Sequence, residues 1–122
     1  MIGEAVALKL GQSGDFKMIG QLFHADNLVA EAVRQQPEVV LLDIDMPGKD
    51  PFEAVTELAD AAADTRVIML SGLVRRDLID KAFEAGAWGY LAKSDVETLP
   101  DAIRQVVEGS IALGPDVQAL ME

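Results

Sequence analysis

Apolar residues along this chain follow two periods, and the two alternate. Val39-Val40-Leu41-Leu42 and Val67-Ile68-Met69-Leu70 are unbroken apolar runs, closed by Asp43 and Ser71. A run that is apolar on both alternating faces reads as a strand covered on both sides, as in a parallel α/β sheet. Residues 16–23 and 88–93 read as two further strands. Between the strands the spacing becomes helical. Asp26 can cap a helix that carries Leu28, Val29, Ala32 and Val33 on one face and ends at Pro37. Phe52, Val55 and Leu58 mark a second helix. Leu78, Ile79, Ala82 and Phe83 mark a third, stopped by Gly86. Val96, Leu99, Ile103, Val106 and Val107 mark the last, stopped by Gly109. Strands that alternate with helices predict βαβ units, a mostly parallel sheet and right-handed crossovers that place helices on both of its faces. Trp88 and Tyr90, two residues apart, are expected on one side of an edge strand.

No linker or repeat divides the 122 residues, so one domain with one core is expected. Residues 1–109 make up that domain. Residues 110–122 read as an exit toward an output domain not included here, with Pro115 opening a short helical stub.

Charge narrows the function. The chain has 10 basic and 21 acidic residues, a net charge of −11. That argues against this chain gripping a nucleic acid backbone or an anionic membrane surface, and suits a cation or a basic partner. There is no Cys, which excludes thiolate metal sites and Cys nucleophiles, and the single His24 excludes a multi-His centre and reads as a loop residue. No apolar run approaches a membrane span, and Met1-Ile2-Gly3-Glu4 lacks the basic start of a signal peptide, so a cytoplasmic location is expected.

The candidate chemistry lies where three apolar strands end, at Asp43, Ser71 and Lys93. In an open α/β sheet the carboxyl edge is where ligands gather. A carboxylate there can accept a phosphoryl group, an ammonium can offset the charge on its oxygens, and a hydroxyl can donate to one of them. A divalent cation commonly completes such a set. Taken singly, Asp43 could be a strand-end turn former, Ser71-Gly72 a common turn pair and Lys93 a solvated lysine; their value is joint.

With these residues in view, the chain resembles a response regulator receiver domain. The resemblance is carried by Val40-Leu41-Leu42-Asp43 with Met46-Pro47-Gly48, by Val67-Ile68-Met69-Leu70-Ser71-Gly72, and by Ala85-Gly86-Ala87-Trp88-Gly89-Tyr90-Leu91-Ala92-Lys93. It is closest in flavour to receivers that precede a LuxR-type helix-turn-helix output domain. The resemblance implies a flavodoxin-like, CheY-like three-layer α/β sandwich. It implies Asp43 as phosphoacceptor, Ser71 and Lys93 as phosphoryl-contacting groups, Tyr90 as the switch aromatic, and Mg²⁺ held at Asp43 and the carbonyl of Asp45. It also implies a histidine kinase as donor, no catalysis by the chain itself, a role in transcription regulation, and contact with DNA only through an output domain. A small domain with an open sheet would otherwise expose apolar surface, which makes a homodimer the expectation, with Arg75, Arg76 and Trp88 as interface candidates. Their plain roles are solvent exposure for the arginines and packing for Trp88.

Two departures from the family stand out. Pro51 replaces a usual Gly, and Pro is well suited to the first position of the following helix. More important, receivers begin with a central strand that ends in an acidic pair, and no such strand stands in the expected place. By spacing, residues 1–10 fall in the family's first helix. Three readings follow: a truncated start, a variant whose sheet closes or pairs between subunits, or a replacement strand built on the alternation of Val6, Leu8 and Leu10. Helix has the better spacing match. In each case Glu4 and Asp15 are the only local acids, which leaves Mg²⁺ binding and phosphorylation open, with an Asp45 side chain as partial compensation. A phosphorylation-independent pseudo-receiver, acting as a dimerisation or docking module, is therefore an alternative. A remote one is a haloacid dehalogenase-like phosphatase, since Asp43-Ile44-Asp45 has the DxD pattern after a buried strand. Nucleotide-binding glycine motifs are absent.

Overall fold

The computed structural model describes residues 5–10, 16–22, 28–44 and 50–121. In chain order these form β1 (Ala5–Leu10), β2 (Phe16–Leu22), α1 (Leu28–Gln35), β3 (Val39–Asp43), α2 (Pro51–Ala61), β4 (Arg66–Ser71), α3 (Arg76–Ala85), β5 (Gly89–Ala92), a 3₁₀ segment (Lys93–Thr98), α4 (Leu99–Val107), β6 (Ala112–Leu113) and α5 (Pro115–Met121). Glu4, Asp15, His24, Asp26, Asp45 and residues 46–49 lie outside the described residues.

The apolar runs do what their two-faced pattern requires. All five residues of β3 are buried, and it pairs in parallel with β4, which pairs in parallel with β5. Val40, Leu42, Val67, Met69 and Tyr90 point to one face, where they pack with Phe52, Val55, Leu58, Ile79 and Val117 from α2, α3 and α5. Val39, Leu41, Ile68 and Leu91 point to the other, against Ala102, Ile103 and Val106 of α4. The helices thus lie on both faces of the sheet.

The sheet has six strands in the order β2-β1-β3-β4-β5-β6. Here the structure corrects the helix expected over residues 1–10, because residues 5–10 are a strand. β1 pairs antiparallel with β2 on one side and with β3 on the other, with Ala5 opposite Leu42 and Leu8 opposite Val39. A helix would leave facing edges of β2 and β3 without partners, whereas an antiparallel strand satisfies both. The central strand is therefore replaced, and its direction is reversed.

Two smaller expectations also change. β5 is not an edge strand, since β6 pairs beside it in parallel, Gly89 with Ala112 and Tyr90 with Leu113. Trp88 and Tyr90 pack on opposite faces, because the strand begins at Gly89 and Trp88 precedes it, where parity no longer binds. In α1, Val33 is half exposed, although it shares the helical spacing of buried Ala32.

α2 shows how the local sequence aims an element at the site. Asp50 accepts the Phe52 N–H at 2.9 Å, Pro51 opens the helix, and Phe52, Ala54, Val55 and Leu58 form its buried face. Asp50→Ala is expected to cost about 0.5–2 kcal/mol in urea unfolding, with Asp50→Asn close to wild type. Equal losses in both variants would show that the cap is not the cause.

Candidate functional site

β3, β4 and β5 end in a stagger of one residue per strand. Asp43 lies opposite Leu70, Ser71 follows and lies opposite Ala92, and Lys93 follows that. The parallel register thus delivers all three polar residues to the same carboxyl edge. Asp43 is buried, and its Oδ2 is 2.9 Å from Lys93 Nζ. The Asp43 side chain is 7% exposed and that of Lys93 35%, so the ammonium carries the pair to the surface. A buried carboxylate demands such a partner.

Ser71 and Tyr90 meet at a group that sequence inspection missed, the backbone carbonyl of Leu73. Ser71 Oγ donates to it at 2.8 Å and accepts the Leu73 N–H at 3.0 Å. Tyr90 Oη donates to the same carbonyl at 3.2 Å, with its ring fully buried. The loop after β4 is thus tied to both side chains, while the Leu73 side chain stands exposed. A backbone acceptor leaves no signal in a sequence, although the Ser-Gly turn pair marks the loop that supplies it.

The interface candidates do not join this group. Arg75 pairs with Asp77 at 2.7 Å on the surface, and Arg76 is exposed at the start of α3. The Trp88 ring carries the Arg66 guanidinium at 4.4 Å, and Arg66 Nη1 donates to the carbonyls of Val106 (2.6 Å) and Val107 (3.2 Å). Arg66 therefore ties the end of α4 to the sheet through Trp88, which gives Trp88 a packing role.

Receiver domains usually bind Mg²⁺, and the described residues do not make up a set for it. No group of three or more His, Asp or Glu side chains among them is placed to hold a metal, and Asp43 is already paired with Lys93. The carboxyl end of β1, Leu10, lies past the start of β3, away from Asp43, and its amino end, Ala5, lies beside Leu42. A cavity of about 360 Å³ at the amino edge is lined by Gln36, Pro37, Asp64 and Thr65 among others.

Known proteins share sequence and fold with this chain. The response regulator receiver domain family matches residues 4–104. The transcriptional regulatory protein DesR of Bacillus subtilis is 33% identical over 96% of this chain and 58% of its own length. LiaR of the same organism is 32% identical over 89% of this chain and 52% of its own. Among solved structures, a LuxR-family two-component response regulator from Aurantimonas sp. SI85-9A1 superposes with a TM-score of 0.74 at 29% identity, covering 79% of this chain and 69% of that one. The chain spans between half and three-fifths of the length of these curated relatives.

Proposed function

The chain belongs to the response regulator receiver family, and from that premise we propose that it is the signal-receiving part of a two-component system, taking a phosphoryl group on Asp43. The observation that carries this reading is the 2.9 Å pair between buried Asp43 and Lys93 at the carboxyl rim, beside the end of β4 where Ser71 sits. The donor would be the phosphohistidine of a histidine kinase. An Asp43 oxygen attacks phosphorus; the O–P bond forms as the P–N bond breaks, and the histidine nitrogen keeps the bonding pair and takes a proton. Lys93 then offsets charge on the phosphoryl oxygens, and Ser71 turns its hydroxyl from the Leu73 carbonyl to one of them. That rotation frees the Leu73 loop and with it the anchor of Tyr90, which gives a local charge change a structural readout.

The names of the transcriptional regulatory relatives support the output part of the proposal, and the other points extend the same reading. The output is transcription regulation, through a DNA-binding domain outside this chain. The working unit is a homodimer in the cytoplasm, and the chain has no catalytic turnover of its own. Incubation with a generic phosphate ester is expected to release no phosphate; steady release would point to the haloacid dehalogenase-like chemistry instead.

A second reading is favoured by one observation, the reversed β1. If the rim lacks the acids that accompany a phosphoacceptor, the domain works as a docking or dimerisation module without phosphorylation. Acetyl phosphate with Mg²⁺, followed by intact-mass measurement, separates the two. The expected result is a gain of one phosphoryl mass, absent in Asp43→Ala. A folded wild-type chain that gains nothing overturns the phosphoacceptor reading and leaves the docking module.

A further inference from the structure

The C-terminal segment, β6 and α5, is bound to the residues that follow Lys93, and we propose that it is a detachable strap whose seating is set by the state of Asp43. Ala112 N–H donates to the Trp88 carbonyl and Gly114 N–H to the Tyr90 carbonyl, both at 3.0 Å, so β6 closes the edge of β5. α5 then turns back over β5 and α3, with Val117 fully buried in the core cluster that contains Tyr90. Its start is held by the turn after Lys93. Asp116 N–H donates to Asp95 Oδ2 at 3.2 Å, and Ser94 Oγ donates to Asp116 Oδ2 at 3.3 Å. Gly114 is packed so closely there that a Cβ would lie 2.9 Å from Asp95 Oδ2 and 3.2 Å from Leu91 Cγ.

The coupling is short and covalent. Lys93 is anchored to Asp43 at 2.9 Å, and Asp95, two residues on, caps the strap. Any change that draws Lys93 from its present partner moves the cap. The strap itself is short: two strand residues, a helix of seven and two buried side chains, Ala112 and Val117, with Leu113 and Met121 partly buried against the core. Units of that size open at low free energy compared with a core strand. Its upstream connection runs through Gly109 at φ +97°, with nothing within 4 Å of where a Cβ would stand, and through Ile111, which is 61% exposed. The strap can therefore lift without breaking other contacts of the core. Once lifted, it leaves the β5 edge and the Val117 seat uncovered at the end of the chain that leads toward an output domain.

The test reads amide hydrogen exchange on the full chain at Ala112, Gly114 and Gln118, with Ala54 and Ile79 in α2 and α3 as internal references. Asp43→Asn removes the carboxylate charge that Lys93 meets at 2.9 Å and does not rest on phosphorylation. Asp95→Ala removes the cap without touching Asp43. Both variants are expected to speed exchange at the three strap amides at least about tenfold, with the references unchanged. Unchanged strap amides in either variant, or equal acceleration of strap and reference amides, overturns the strap. Phosphorylated wild type, which rests on the proposed function, is a separate arm. A chain that gains phosphoryl mass without strap release refutes the coupling. A chain that gains no phosphoryl mass refutes the phosphoacceptor reading, and the two variants still decide the strap.

Discussion

Leu42→Ala is expected to lower the stability of the domain by about 2–5 kcal/mol and its melting temperature by on the order of 10 °C. Leu42 is fully buried and sits in the larger core cluster, on the strand that positions Asp43. It is flanked on both sides, by Ala5 of β1 and by Met69 of β4. A cavity there cannot collapse easily, because the strands that would have to move are hydrogen-bonded in register. Val33→Ala, at a half-exposed position on α1, is the matched control and is expected within about 0.5 kcal/mol of wild type. Urea unfolding of both variants checks the contrast, and similar losses at the two positions would mean that β3 does not organise the core as described.

Lys93→Met is expected to be the most costly change at the rim, at about 1–3 kcal/mol. It removes the 2.9 Å ion pair that Lys93 makes with the buried Asp43 carboxylate. The figure lies below that of a fully buried pair because the Lys93 side chain is 35% exposed, so water reaches the site and screens it. Asp43→Asn in the same chain removes the buried charge that Lys93 pairs with, so the double variant should recover most of the loss. Unfolding free energies of the four proteins form a cycle whose coupling term measures the pair. A coupling near zero would mean that Asp43 is held by its other surroundings and that Lys93 is a bystander.

Much of the site was legible in advance because its residues are punctuation. Asp43 and Ser71 close apolar runs, and Lys93 closes a third, so the candidate residues coincide with strand ends. Parallel register then does the rest, since strands of similar length in one direction end at one edge. Pro51 could be placed at a helix start from φ alone, and the structure has it there. The Leu73 carbonyl, the Arg66 bridge to the end of α4, and the Asp95 cap on α5 were not legible. Each joins groups that are remote in the chain or uses a backbone atom, and neither leaves a pattern in residue types.

The same contrast decides the N-terminal region. The order of residues alone was enough for the alternation of strands and helices, the apolar faces of β3 and β4, and the family they resemble, because these follow from local period and from burial that any α/β packing imposes. The alternation of Val6, Leu8 and Leu10 allowed a strand but could not choose it over a helix. That choice, and the reversed direction of β1, came from hydrogen-bonding partners waiting on both sides, in β2 and β3. The sheet edge at β5 was settled likewise, by β6 arriving from the far end of the chain. Strand pairing is a property of two segments together, so no reading of one segment contains it.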